Sequence, residues 1–118
     1  MTENDAYTGD NEQFETIESR LEYGGITYKI DKVQPICPHD GKRDSYTVEI
    51  EIQPHDGVVP EVYSFREWVR SYSGREIWHE DMAQDLKENL RDSLNTEGGY
   101  VRVSGNHEDV QATVEVSW

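Results

Sequence analysis

The chain is poor in cysteine and lysine and has no long apolar stretch. Its one cysteine, Cys37, excludes an internal disulfide and a paired-cysteine metal site, and it fits a reducing compartment. No run approaches the roughly 18 apolar residues that span a membrane. The stretch from Met1 to Asp5 lacks the positive and apolar segments of a signal peptide. We therefore expect a cytoplasmic protein with no membrane partner.

Charge is strongly one-sided. The chain has 25 Asp and Glu against 11 Lys and Arg, and its formal net charge is -14. Only four of the basic residues are lysines. This composition favours adaptation to a high-salt cytoplasm, where ions screen the self-repulsion. An ordinary acidic protein with an acidic tail explains the composition equally well, and either one repels polyanions at low salt.

The length of 118 residues permits one domain with one modest core. Residues 1–25 are polar and acidic, which predicts a flexible N-terminal arm with at most a short ordered piece around residues 14–21. Residues 26–118 are predicted to form the single domain. A sizeable ligand pocket is expected to need a second subunit.

Side-chain periodicity predicts an α+β fold. Alternation of apolar and polar residues predicts four strands, at 26–30, 46–52, 100–103 and 110–116. Apolar stripes predict two helices, one through Val62, Phe65, Val69 and Tyr72 and one through Met82, Leu86, Leu90 and Leu94. Residues 54–60 are predicted to be a linker and residues 105–109 a turn. Four antiparallel strands with both helices on one face make a two-layer domain.

Two short polar motifs are candidates for chemistry. The first runs from Cys37 to Asp44, and its proline and glycine predict a turn. The second is His79-Glu80-Asp81, at the predicted start of the second helix. A lone thiol with acids and a histidine is the residue set of a nucleophilic active site. Taken separately, Cys37 is more often a buried structural residue and Asp44 a turn residue, and Glu80 can also serve as a helix-start acid.

A metal site is the weaker alternative. His39-Asp40 and His79-Glu80 offer ligands for one ion. The sequence has no HExxH motif and no paired cysteines to support it, and it also lacks a P-loop and a GxGxxG turn. We expect no metal.

Three landmarks together resemble the nitrile-processing branch of the tunnelling-fold (T-fold) superfamily. They are Cys37-Pro38-x-x-Gly41-x-x-Asp44, a helix opening at Glu61, and His79-Glu80-Asp81 eighteen residues after that Glu. The branch contains the 7-cyano-7-deazaguanine reductases (QueF) and their archaeal QueF-like amidinotransferase relatives. The likeness covers residues 26–118.

The resemblance implies a ββααββ T-fold that assembles as a homo-oligomer. Subunits of this superfamily form rings that stack face to face, and the 7-deazaguanine-type substrate binds where subunits meet. Two pentamer rings stacked as a decamer are the expected assembly. Oligomerisation would then supply the pocket that a short chain lacks.

The resemblance also implies roles for the two polar motifs. Cys37 is expected to attack the nitrile carbon and form a covalent thioimide, and Asp44 to donate a proton to the nitrile nitrogen. His79 is expected to move protons or to orient the attacking amine. Glu80 is expected to anchor the guanine-like edge of the substrate through two hydrogen bonds.

The first helix departs from the reductase pattern. Reductases carry Glu-(Ser/Leu)-Lys-(Ser/Ala)-x-Lys-x-aromatic, which grips the NADPH phosphates, whereas this chain reads Glu61-Val62-Tyr63-Ser64-Phe65-Arg66-Glu67-Trp68. Tyr63 replaces the first lysine, and Arg66 is the cation that remains. Glu61 and Ser64 stay candidates for substrate binding.

The segment Asn106-His107-Glu108-Asp109-Val110 also lacks the arginine that reductases carry there. Two adjacent carboxylates repel a phosphate. The predicted function is therefore an amidinotransferase that forms an archaeosine-type base with ammonia and uses no redox cofactor. The first alternative is an NADPH-dependent reductase with Arg66 at the cofactor, and the second is a non-catalytic purine-binding module.

The sequence leaves the form of the substrate open. The nitrile base is expected either free or within tRNA or DNA. The acidity of the chain opposes a nucleic acid, although high salt or a local patch of Arg66, Arg70 and Arg75 would reduce the repulsion. Pairing of these arginines with carboxylates is the alternative.

Overall fold

The computed structural model describes residues 13–21 and 24–118. The elements in chain order are β1 (Thr16–Glu18), β2 (Ile26–Val33), β3 (Tyr46–Pro54), β4 (Val58–Pro60), α1 (Val62–Arg70), α2 (His79–Ser93), β5 (Thr96–His107) and β6 (Val110–Ser117). The predicted order of strand, strand, helix, helix, strand, strand is confirmed by β2, β3, α1, α2, β5 and β6. Residues 1–12 and 22–23 of the predicted arm lie outside the described residues.

The main sheet has four antiparallel strands in the order β2-β3-β5-β6. Along β3 the side chains of Val48, Ile50 and Ile52 are fully buried, whereas those between them lie on the opposite face. This is the alternation that the sequence predicted, and it gives the sheet one apolar face.

Both helices cover that apolar face. Phe65 and Val69 of α1 and Leu86 and Leu90 of α2 belong to the same core cluster as the buried residues of β3. One residue of the predicted stripe is wrong: Val62 is 56% exposed. It lies in the first turn of α1, directly after the N-cap. The buried residues of α1 are Phe65, Trp68 and Val69.

The short ordered piece before residue 25 joins the domain through a second sheet. β1 pairs antiparallel with β4, and Phe14 packs against Phe65 with ring centroids 5.0 Å apart. The prediction of a linker at 54–60 is therefore wrong at both ends, because Pro54 is the last residue of β3 and residues 58–60 form β4. Val58 and Val59 are buried and form β4. Pro60 can be the last residue of β4 because a proline is tolerated in an edge strand.

The hairpin between β5 and β6 is tighter than predicted. β5 continues to His107 and β6 begins at Val110, so the turn consists of Glu108 and Asp109, with Glu108 at a φ of 58°. The predicted turn at 105–109 is too long, because its first residues extend the ladder. Among the described residues no helix is long and apolar enough to cross a membrane.

Candidate active site

A cavity of about 610 Å³ lies at one end of the main sheet. Three parts of the chain meet there: the loop between β2 and β3, the start of α2 and the β5–β6 hairpin. Four predicted site residues line this cavity together: Cys37, Asp44, His79 and Glu80. The fold thus joins residues that are up to 43 positions apart, from 37 to 80.

Backbone pairing holds the Cys37 loop against the segment before α2. Ile36 forms a parallel bridge with Glu76 and an antiparallel bridge with Arg43. Its N–H donates to Arg75 O at 2.8 Å, and its carbonyl accepts from Ile77 N at 3.2 Å. Because Cys37 follows Ile36 and His79 follows Ile77 by two residues, this pairing fixes the thiol loop relative to the helix start.

The turn after Cys37 is closed by its own hydrogen bonds. Gly41 N donates to Cys37 O, and Cys37 N donates to Lys42 O, both at 2.8 Å. Gly41 has a φ of 71°, a conformation that favours glycine. The backbone N–H of Lys42 lowers the pKa of Asp40 below its ordinary value, with a smaller contribution from the Cys37 thiol. A carboxylate therefore stands beside the half-buried free thiol of Cys37.

Asp44 is held by the backbone and by a buried tyrosine. Its N–H donates to Pro35 O at 3.0 Å, and its Oδ2 accepts from the hydroxyl of Tyr46 at 3.2 Å. Burial raises the pKa of Tyr46 above its ordinary value, and the negative charge of Asp44 adds to the shift. Tyr46 therefore stays protonated and donates throughout the neutral range.

His79 and Glu80 open α2. His79 Nδ1 lies 3.0 Å from Glu80 Oε1, and the His79 side chain is 13% exposed whereas that of Glu80 is 61% exposed. The His79 ring stacks on Tyr46 with centroids 5.3 Å apart and planes 16° apart. The histidine is thus fixed by packing, and the glutamate remains reachable by a ligand.

Sequence reasoning missed Tyr46 and His107 as members of the site. Tyr46 is on the same face of β3 as Val48, so alternation alone gives its inward orientation. His107 is different, because its position follows from the register of β5 on β3 and the length of the hairpin. Its Nε2 lies 2.9 Å from the Tyr46 hydroxyl.

The candidates on the first helix do not line this cavity. Glu61 caps α1, where its carboxylate accepts from Tyr63 N at 2.9 Å and Ser64 N at 2.8 Å. The hydroxyl of Ser64 accepts from Glu15 N at 2.8 Å. Arg66 lies over the Tyr63 ring and pairs with Glu67 at 3.2 Å, the predicted ion pair. Within one chain these residues form a separate group.

The cavity lining has more acidic than basic side chains. Five carboxylate side chains line it, from Asp40, Asp44, Glu80, Glu108 and Asp109. The lining also includes the cations Lys42 and Arg43. In the part of the chain that the structure describes, no three His, Cys, Asp or Glu side chains are grouped to hold a metal ion. The lining therefore suits a ligand that donates hydrogen bonds or carries positive charge.

Comparison with known proteins finds a sequence relative and a solved structure of high similarity. The chain is 36% identical over 83 residues to an archaeosine synthase from Pyrobaculum calidifontis, a match that covers 70% of this chain and 73% of the relative. It superposes on the crystal structure of an archaeosine synthase QueF-like protein in the apo form with a TM-score of 0.75 at 30% identity. That match covers 82% of this chain and 95% of the other.

No protein-family model matches the chain. The identity to the sequence relative and the coverage of both chains show the family. The TM-score of 0.75 shows that the solved structure has the same fold. The chain belongs to the QueF-like archaeosine synthase family.

Proposed function

We propose that this chain converts the nitrile of 7-cyano-7-deazaguanine to an amidine and so forms an archaeosine-type base, with ammonia as the nitrogen donor. The observation that carries the proposal is the meeting of Cys37, Asp44, His79 and Glu80 around one cavity. The two relatives, both named archaeosine synthases, support the same product.

The proposed reaction adds one ammonia to the nitrile without any change of oxidation state. The Cys37 thiol adds across the nitrile, so that sulfur bonds to carbon and the proton ends on nitrogen, which gives a thioimide. Ammonia attacks the same carbon, the carbon–sulfur bond breaks, and the thiol is restored as the amidine leaves.

Asp44 is the proposed proton donor to the nitrile nitrogen. Its side chain is 17% exposed, and the Tyr46 hydroxyl holds one of its oxygens. A fixed, largely buried carboxyl group beside the nucleophile is suited to transfer a proton as charge develops on nitrogen.

His79 and Glu80 are the proposed substrate-facing pair at the start of α2. The exposed carboxylate of Glu80 can accept two hydrogen bonds from the amino edge of a guanine-like base. The packed ring of His79 lies next to it and is placed to take a proton from the attacking amine.

The charge of the cavity supports ammonia rather than NADPH as the second reactant. The excess of carboxylates in the lining raises the local concentration of ammonium. Arg66, the cation that remains of the reductase helix motif, pairs with Glu67 instead. We therefore propose that the reaction needs no redox cofactor.

Glu61 and Ser64 are proposed to bind the substrate in the Cys37 cavity of a neighbouring subunit. They lie outside the Cys37 cavity of their own chain, next to the exposed Val62 and Tyr63. A ring of subunits, with two pentamers stacked as a decamer, would bring the two halves together.

Light scattering after gel filtration measures the assembly. If the site is shared, a mixture of the inactive variants Cys37→Ala and Glu61→Gln regains activity after subunits exchange.

The nitrile base within tRNA is the proposed substrate. Lys42 and Arg43 at the cavity are placed to contact a phosphate. The arginine patch considered from the sequence is engaged elsewhere: Arg70 binds Asp31 at 2.8 Å, and Arg75 lies over the Tyr72 ring at 4.3 Å. Turnover rates of the free nitrile base, of tRNA that carries it and of DNA that carries it, each measured over a range of salt concentrations, compare the three substrates.

The decisive experiment incubates the wild type with the nitrile substrate and either ammonium or NADPH. The proposal expects a product heavier than the nitrile by one ammonia, with no oxidation of NADPH. It also expects an intact-protein mass increase of one substrate in the wild type but not in Cys37→Ala.

Three outcomes would reject the proposal in different ways. Rapid oxidation of NADPH with an aminomethyl product would show a reductase. Unchanged turnover by Cys37→Ala would remove the covalent mechanism but leave an enzyme. Binding of the base without any adduct or product would leave the non-catalytic binding module.

A further inference from the structure

Three aromatic side chains, from Tyr46, His79 and His107, pack together beside Asp44. Tyr46, which is 2% exposed, stacks on His79 and lies 5.7 Å from His107 between ring centroids. The rings of His79 and His107 are themselves 5.1 Å apart. This cluster from three elements of the fold reaches the proposed proton donor through Tyr46 at 3.2 Å and His107 Nδ1 at 3.9 Å from Asp44 Oδ2.

The hydrogen bonds within this cluster have a defined direction. A phenol has one proton, and Asp44 Oδ2 is an acceptor both in the carboxylate and in the acid whose proton is on Oδ1, so the Tyr46 hydroxyl donates to Asp44 Oδ2 at 3.2 Å. The same hydroxyl oxygen lies 2.9 Å from His107 Nε2 and must therefore accept from an Nε2–H. This assignment gives a chain of hydrogen bonds from His107 through Tyr46 to Asp44, with the proton of His107 on Nε2.

We propose that Tyr46 and His107 are positioning residues that orient Asp44 for proton donation to the substrate nitrogen. This inference rests on the proposed function, which gives Asp44 that task. Fixing Oδ2 fixes the plane of the carboxyl group and hence the direction of its other oxygen. Once the proton has left, the hydrogen bond from Tyr46 becomes charge-assisted and stabilises the carboxylate.

Packing alone does not account for the hydroxyl. A phenylalanine would fill the same buried space, and a buried hydroxyl costs free energy unless it is hydrogen-bonded. Both partners of the Tyr46 hydroxyl line the same cavity as Cys37. His107 lies at the end of β5 next to the hairpin, where its side chain is 33% exposed.

The kinetic test compares Tyr46→Phe with Tyr28→Phe. Tyr28 is also buried on the main sheet, and its hydroxyl donates to Pro60 O at 2.8 Å, away from the cavity. We expect Tyr46→Phe to slow the single-turnover formation of the Cys37 adduct by about tenfold or more. Tyr28→Phe should leave that rate unchanged. Substrate affinity, measured on a Cys37→Ala background, should change less than twofold with Tyr46→Phe.

The histidine is tested by rescue. His107→Gln keeps an N–H donor near the position of Nε2, whereas His107→Leu has none. We expect His107→Gln to retain a larger part of the adduct rate than His107→Leu, at similar thermal unfolding temperatures. Equal rates for the wild type and Tyr46→Phe, with the wild-type adduct present, would overturn the positioning role and leave the proposed function standing.

A second measurement needs no substrate. At mildly alkaline pH, where histidine is neutral, nitrogen-15 NMR should show His107 with its proton on Nε2, and Tyr46→Phe should shift that resonance. A proton on Nδ1 with a bare Nε2 would mean that Tyr46 donates to His107 rather than to Asp44, and the inference would be wrong. This NMR result tests the direction of the hydrogen bonds even if the wild type forms no adduct. The absence of an adduct would instead reject the proposed function.

Discussion

Gly105 lies directly against the ring of Tyr46: a Cβ atom on residue 105 would come within 2.4 Å of Tyr46 Cδ1. The two residues face each other across β3 and β5 in the ladder. The tyrosine that contacts Asp44 is therefore seated against a bare backbone, and a larger residue at 105 would displace it.

The first prediction follows from that contact. Gly105→Ala should destabilise the fold by about 1–3 kcal/mol, because the added methyl group overpacks a buried ring. It should also slow adduct formation at Cys37, because Tyr46 moves away from Asp44. Gly25→Ala is the matched control, since its Cβ would lie at an ordinary 3.4 Å from Ile52 O. Urea unfolding measures the stability of both, and equal free energies of unfolding would contradict the prediction.

Asp44→Asn tests the proton donor. The amide keeps the size and the hydrogen bond from Tyr46 but has no transferable acidic proton, so the rate of adduct formation should fall by about 10²–10⁴. Asp56→Asn is the control: its carboxylate caps a turn by accepting from Val58 N at 3.0 Å, outside the cavity. Intact-protein mass spectrometry against time measures both rates. A wild-type rate in Asp44→Asn would assign the proton transfer to another group.

Much of this arrangement could be predicted from local sequence patterns. Alternation gave the buried face of β3 through Val48 and Ile50, and the joint spacing of Cys37, Asp44 and His79 pointed to one site. Alternation could also have placed Tyr46 inside. Each of these inferences depends on a period or a spacing that is written in the chain itself.

The parts that the sequence did not predict depend on contacts distant along the chain. The position of His107 at Tyr46 requires the register of β5 on β3, which no local pattern specifies. Gly99 pairs with Ile52 inside β5, where a Cβ would lie 2.2 Å from Glu51 O, and this close approach also depends on the register. The strand β4 was missed because its valines lie between two prolines.

Core burial predicts a large difference between two apolar positions on the helices. Leu86→Ala should lower the free energy of unfolding by about 2–5 kcal/mol, since the side chain is fully buried and leaves a cavity. Val62→Ala should change it by less than about 0.5 kcal/mol, because Val62 is exposed in the first turn of α1. Urea unfolding monitored by circular dichroism compares the two. A large loss for Val62→Ala would show that another surface covers it.

The cap of α1 predicts a pH dependence of stability. Hydrogen bonds from the backbone of Tyr63 and Ser64 lower the pKa of Glu61 below its ordinary value of 4.5. A group whose pKa is lower in the folded state stabilises the fold above its unfolded pKa and loses that contribution as pH falls through the folded pKa. The difference in unfolding temperature between the wild type and Glu61→Gln should therefore be largest near neutral pH and become smaller below about pH 4.5.

The control for that pH series is Glu67→Gln on the same helix. Glu67 is 69% exposed and pairs with the partly exposed Arg66, so its replacement should have a small effect at every pH. If the deficit of Glu61→Gln were the same at low and neutral pH, the capping bonds would not depend on the charge of Glu61.

Salt dependence separates the two interpretations of the acidic composition. With a net charge of -14, repulsion among surplus carboxylates should make the unfolding temperature rise as KCl is added. Screening is nearly complete by about 1 M, where the Debye length is about 3 Å. A rise that continues well beyond that concentration would indicate adaptation to high salt, whereas a plateau would indicate an ordinary acidic protein. A fall would mean that exposed pairs, such as Arg102 with Glu115 at 2.7 Å, outweigh the repulsion.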